Sequence, residues 1–154
     1  MTQTQPFDEA KASAILGAAV SEVFSDMAFL DAQVSFANHG LDGKSVRAAI
    51  DVLKPASCRL ELRLAESLRS RIFDILYVDG PPVGASEDAV LELLNVMAGS
   101  FLTEYFGEAG DIRLELPRYL YLNGEAEGQA LVDLGFDVEG EALRVLLSSV
   151  RYRY

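Results

Sequence analysis

The sequence predicts an α+β fold: a mainly antiparallel sheet of about six strands packed by three helices, arranged as a pseudo-twofold repeat. Three observations point there. Apolar residues recur with a helical period in three segments and with a period of two in the segments between them. The connections between the period-two segments are short, which favours antiparallel neighbours. The order is helix, three strands, helix, long helix, three strands, so one unit is used twice.

Residues 1–6 are polar and are expected to form a loose N-terminal tail. Asp8 can cap a helix running to about Met27, with Ile15, Leu16, Ala19, Val20, Val23, Phe24 and Met27 on one broad face. Val34 and Phe36 then alternate with Gln33 and Ser35, up to the turn Asn38-His39-Gly40. A second strand places Val46, Ala48, Ile50 and Val52 inward and Ser45, Arg47 and Asp51 outward, ending before Pro55. A third has Cys58, Leu60, Leu62 and Leu64 inward, with Arg59, Glu61 and Arg63 outward. Residues Ala65 to Tyr77 have a helical period, with Leu68, Ile72, Ile75 and Leu76 inward, and Asp79-Gly80-Pro81-Pro82 stops them.

The longest helix spans Ser86 to Gly107, with Ser86 as N-cap and Glu87 and Asp88 in the first turn. Period two returns at Ile112, Leu114 and Leu116, up to Pro117, and Tyr119 to Leu122 continue extended to Asn123-Gly124. Ala130, Val132, Leu134, Phe136 and Val138 form the next inward row. Glu139-Gly140 turns the chain into a last strand bearing Leu143, Val145 and Leu147, which continues toward the basic aromatic end Arg151-Tyr152-Arg153-Tyr154.

Composition narrows the function. The 154 residues are half apolar and are expected to form one domain, 1–154. A formal charge of −11 opposes nucleic acid or an anionic membrane as partner, because both require a positive footprint. Cys58 is the single cysteine, so no internal disulfide and no cysteine metal cluster is available. His39 is the single histidine, in a loop, without Gly-x-Ser-x-Gly or His-Glu-x-x-His near it. There is no phosphate-binding glycine loop, no signal peptide and no membrane-length apolar run, so a cytoplasmic protein is expected.

Chemistry concentrates on the long helix. Val90, Leu94, Met97, Phe101 and Tyr105 make its apolar stripe, flanked by Leu91, Leu93, Val96, Ala98 and Leu102. Asp88, Glu92, Asn95, Gly99 and Thr103 follow the same spacing about half a turn away. A solvated face would contain similar residue types. This seam, however, is narrow, has no Lys or Arg, and contains a mid-helix glycine, which costs about 1 kcal/mol against alanine. Close approach of another backbone would account for that glycine. A carboxylate and a carboxamide one turn apart can hold a cation and orient a water.

The first helix serves as an internal control. Residues 19–28 read AVSEVFSDMA and residues 89–98 read AVLELLNVMA. Five of these ten positions are identical at an offset of 70. Glu22 matches Glu92, but Ser25 stands in place of Asn95 and Ala18 in place of Asp88.

The pattern Asp88-x-x-x-Glu92-x-x-Asn95, followed by a proline in a downstream strand, resembles the signature of the CheC/CheX/FliY chemotaxis phosphatases. The run Glu92-Leu-Leu-Asn95-Val-Met-Ala-Gly99 is similar to the CheX form, and Ser25 fits the type with a single Glu-x-x-Asn site. One departure is that Pro117 follows Asn95 after 21 intervening residues, where the family pattern has 22.

The resemblance implies a CheX-like domain that hydrolyses the aspartyl phosphate of a response-regulator receiver domain (CheY-like). In it Glu92 and Asn95 are catalytic: Asn95 orients the attacking water and Glu92 meets the receiver's lysine. Asp88 lies at the edge of the docking surface, and Gly99 admits the partner backbone. No cofactor or metal of the protein's own is implied, Mg²⁺ residing on the phosphorylated receiver. Homodimerisation through sheet edges is expected from CheX-type members. Two other readings stand beside this one: a non-catalytic module that binds receiver domains, and a structural homodimer.

Overall fold

The computed structural model describes residues 7–35, 41, 44–77, 89–108, 111–120 and 130–149. The expected turn at His39, the cap and first turn at Ser86, Glu87 and Asp88, and the terminal run 151–154 lie outside the described residues, as do residues 1–6.

Helix α1 spans Glu9–Ala28, and the Asp8 carboxylate accepts the Lys11 N–H as its N-cap. Strands β1 (Ala32–Val34), β2 (Ser45–Lys54) and β3 (Cys58–Ala65) follow. Helix α2 is Glu66–Leu76, and α3 is described over Ala89–Phe106. Two short strands, β4 (Arg113–Leu114) and β5 (Arg118–Tyr119), precede the long hairpin of β6 (Ala130–Val138) and β7 (Glu141–Ser149).

All seven strands join one antiparallel sheet in the order β1-β6-β7-β3-β2-β4, with β5 also on β2. Exchanging the first set of strands for the second reverses this order onto itself. The expected pseudo-twofold therefore exists, with its axis between β3 and β7, which pair from Cys58↔Ser149 to Leu64↔Leu143.

Among the described residues the strands number seven rather than six because Pro117 divides one edge run. The Glu115 N–H donates to the Asp51 carbonyl at 2.9 Å and the Leu120 N–H to the Arg47 carbonyl at 2.8 Å, so residues 113–120 follow β2 throughout. Pro117 has no N–H to give, and an edge tolerates that. Leu116, expected inward, is 85 % exposed beside this break. Val34, also expected inward, is exposed at the end of edge strand β1.

The three helices pack on one sheet face. Ile50, Val52, Cys58, Leu60, Leu62, Leu64, Phe136, Leu143, Val145 and Leu147 form the sheet side of this core. Leu16, Val20 and Phe24 of α1, Leu68 and Ile72 of α2, and Val90, Leu94, Met97 and Phe101 of α3 form the other side. Each such large side chain contributes about 1.5–3 kcal/mol when fully buried. An aromatic cluster of Phe7, Phe101, Tyr105 and Phe106 joins the α1 entrance to the end of α3, where the Asp8 N–H donates to the Tyr105 hydroxyl at 2.7 Å. No helix among the described residues is long and apolar enough to cross a membrane.

The opposite sheet face differs from the expected solvated row. Asp51 and Glu61 are only 5 % and 6 % exposed, and Ala49 is fully buried. Arg47 and Arg63 face each other across β2 and β3, and Glu61 lies between them and bonds both. Asp51 accepts from Arg59 at 2.7 Å and Arg118 at 3.2 Å, and Asp133 pairs with Arg144. The arginine stems cover the carboxylates, so alternation of charge along the strand did not mean exposure.

Burial acts to raise the Glu61 pKa, but bonds from Arg47 and Arg63, and their charges, outweigh it and hold the carboxyl below its ordinary value. A carboxyl lowered on folding stabilises fully above its unfolded-state pKa, about 4.3, and loses that contribution as pH falls through the folded-state value. Glu61→Gln is therefore expected to be less stable by about 1–3 kcal/mol at neutral pH. Denaturant titrations between pH 7 and pH 3 should show this gap closing on the acid side. A gap independent of pH would remove the charge from the account.

Candidate functional site

The accessible strip of α3 is narrow because three partners hold the helix. It packs on α1 at one flank, on α2 at the other and on β2 and β3 beneath. Ala89, Val90, Leu93, Leu94, Met97, Ala98, Phe101 and Leu102 are buried by these contacts. Between Ala89 and Thr103, the exposed residues are Glu92, Asn95 and Val96.

Glu92 and Asn95 thus stand one turn apart and point outward together, as their spacing predicts. Asp88, expected at the edge of this surface, lies outside the described residues. Among the described residues the Asn95 carboxamide makes no internal hydrogen bond. It therefore presents one acceptor and two donors to whatever approaches. Val96 was assigned to the apolar flank but is 41 % exposed, immediately beside the pair.

Gly99 is partly exposed, and a Cβ built there would meet no atom within 4 Å. Nothing inside the described chain requires a glycine at this point, which leaves the helix surface flat one turn beyond Asn95.

The corresponding strip of α1 exposes Ala18, Glu22 and Ser25. Its next position, matched to Gly99 by the offset of 70, is Phe29. Phe29 is 79 % exposed and ends α1 in the left-handed region, with φ 53°. The first copy therefore differs here as well as at the pair: an exposed phenylalanine that ends its helix takes the place of a mid-helix glycine.

Two neighbours were not identified from sequence. Tyr77, at the end of α2, donates from its hydroxyl to Glu92 Oε2 at 3.5 Å. Phe73, one turn earlier on α2, packs edge-on to the Tyr77 ring with centroids 5.0 Å apart. Their spacing shows that they share a helix face, but only the packing of α2 on α3 brings that face to Glu92. Among the described residues no group of three or more His, Cys, Asp or Glu side chains could hold a metal ion.

This is the fold of the CheX-type chemotaxis proteins. The chain superposes on a chemotaxis protein CheX from Desulfovibrio desulfuricans with a TM-score of 0.67, at 12 % identity, covering 91 % of this chain and 99 % of that one. A chain of the CheX–CheY–BeF3–Mg²⁺ complex from Borrelia burgdorferi matches with a TM-score of 0.64 at 16 % identity, covering 94 % and 99 %. FliY from Thermotoga maritima matches with a TM-score of 0.57 at 15 % identity, covering 96 % and 92 %. No protein-family model matches the sequence, and no curated protein matches it.

Filling the flat position should separate folding from function. Gly99→Ala is expected to raise stability by about 0.5–1 kcal/mol, through helix propensity and a less flexible unfolded chain. Thermal or denaturant unfolding measures this directly. A loss of stability would mean that the glycine serves an internal contact.

Proposed function

We propose that this chain is a CheX-type phosphatase that hydrolyses the aspartyl phosphate of a response-regulator receiver domain in chemotaxis or two-component signalling. The carrying observation is the paired exposure of Glu92 and Asn95 on the narrow accessible strip of α3, the carboxamide making no hydrogen bond among the described residues. The shared fold supports this reading, since one protein with that fold was crystallised in a CheX–CheY–BeF3–Mg²⁺ complex.

An acyl phosphate is already reactive, and a receiver domain carries its own Mg²⁺ and a lysine near the phosphoryl group. What remains is to place a water in line with phosphorus. Asn95 does this by accepting from the water with its carbonyl oxygen or donating to it from its amide, which fixes the direction of the water lone pair. The water oxygen bonds to phosphorus as the bond between phosphorus and the aspartyl carboxyl oxygen breaks; the aspartate leaves as a free carboxylate, and both water protons depart on the released phosphate. Glu92 pairs with the receiver's lysine and fixes the register of docking. Asp88 stands at the rim, and Gly99 lets the partner backbone approach. The chain needs no metal of its own. The reading includes a homodimer paired through sheet edges, for which β1 and the β4–β5 run are the edges among the described residues.

Phosphate release from a phosphorylated receiver tests the proposal. Asn95→Ala should slow it about a hundredfold or more while binding persists, the scale of losing one aligned polar group at a reacting centre. Wild-type turnover by that variant would overturn the mechanism. Binding without accelerated release by the wild-type protein would mark a non-catalytic module. Glu92→Ala should raise KM, and unchanged KM and rate would remove Glu92 from the site. Ser25→Asn alone should add no activity, because Ala18 and Phe29 still stand in place of Asp88 and Gly99; a second equivalent of turnover would show the replaced residue to be the sole defect.

A further inference from the structure

Glu92 has a neighbour that the proposed reaction does not use. Tyr77 terminates α2, where its N–H donates to the Phe73 carbonyl at 2.9 Å. Its ring meets the Phe73 ring at 77°, with centroids 5.0 Å apart. These two contacts set the direction of the phenol. The hydroxyl reaches across to α3 and donates to Glu92 Oε2 at 3.5 Å, a weak bond longer than the usual length of about 2.5–3.0 Å between two oxygens. Fourteen residues intervene in sequence, so the contact is made by helix packing.

The arrangement suits a carboxylate that must receive a second group. An exposed glutamate samples several rotamers, and docking onto one ammonium requires that most of them be given up. A neutral donor on one oxygen narrows that set without neutralising the charge. A carboxylate has about four acceptor sites, so Oε1 and the remaining lone pairs stay available. Phe73 and Val96, respectively 39 % and 41 % exposed, add apolar surface on the α2 and α3 sides of the same carboxylate.

We propose that Tyr77 is a positioning residue: its phenol holds Oε2 of Glu92 so that the other oxygen faces the cationic group of the docking partner. This rests on the reading of Glu92 as the residue that meets the receiver's lysine. It adds that docking register is set by the end of α2 as well as by α3.

Tyr77→Phe tests it, since the substitution removes the hydroxyl and keeps the ring pair with Phe73. Steady-state turnover of a phosphorylated receiver should show KM raised about three- to tenfold, the scale of one ordinary hydrogen bond, with kcat near wild type. In a Glu92→Ala background the same change should add nothing further. Additive effects in the double variant, an unchanged KM, or a fall in kcat alone would overturn the proposal. If the wild-type protein releases no phosphate, the Kd for the receiver held in its beryllofluoride form with Mg²⁺ is measured instead, and the same pattern is expected. Glu92→Ala separates the two readings. Where it weakens docking and Tyr77→Phe does not, only the role of Tyr77 fails; where neither weakens docking, the role of Glu92 fails and takes that of Tyr77 with it.

Discussion

The burial of α3 is the constraint on which the rest of the molecule depends. Eight of its residues, from Ala89 to Leu102, are buried against α1, α2 and the sheet. At about 1.5–3 kcal/mol for each large apolar side chain, this packing far exceeds any local preference in the helix, including the roughly 1 kcal/mol penalty at Gly99. A helix held on three sides has only one strip left for polar chemistry. Rotation of the helix would bury Glu92 and Asn95 and expose Leu94 or Met97, so the same packing that stabilises the fold also fixes the outward direction of the pair.

The pseudo-twofold explains how such a helix comes to be held. Two related helices lie side by side over a sheet whose strand order maps onto itself, and the buried sequence they share is the part that faces the common core. Val20 and Val90, matched by the repeat, are both fully buried. The outward positions contribute little to that core, and there the two copies differ: Ser25 stands where Asn95 does and Phe29 where Gly99 does, while Glu22 and Glu92 agree. A repeat of this kind conserves the frame while its two surfaces take different chemistry.

The far side of the sheet follows another rule. Glu61 bridges Arg47 and Arg63, and Asp51 joins Arg59 and Arg118, so the charged row is buried under its own counterions. Such pairing limits the desolvation penalty but leaves each carboxylate dependent on its partners. Cys58, on the helix side of β3, is sealed in the core; burial, with a further contribution from the Asp51 charge, pushes its thiol up to about 12. A thiol held so far above neutrality is almost wholly protonated and takes no part in nucleophilic chemistry.

Periodicity alone was enough to read the element order, the two related helices and the outward placement of Glu92 and Asn95, because each depends on the local geometry of 3.6 or two residues per repeat. The Asp8 cap and the inward rows of β3 and β7 were legible for the same reason. What a residue meets once its element has packed was not legible. Val96 has the spacing of a core flank, yet it is exposed beside Asn95. Arg59, Glu61 and Arg63 alternate like a solvated face, yet cross-strand register closes them over one another. The contact between Tyr77 and Glu92 belongs wholly to the tertiary structure: sequence places each on its own helix, and only the packing of α2 against α3 brings a phenol to a carboxylate fifteen residues away.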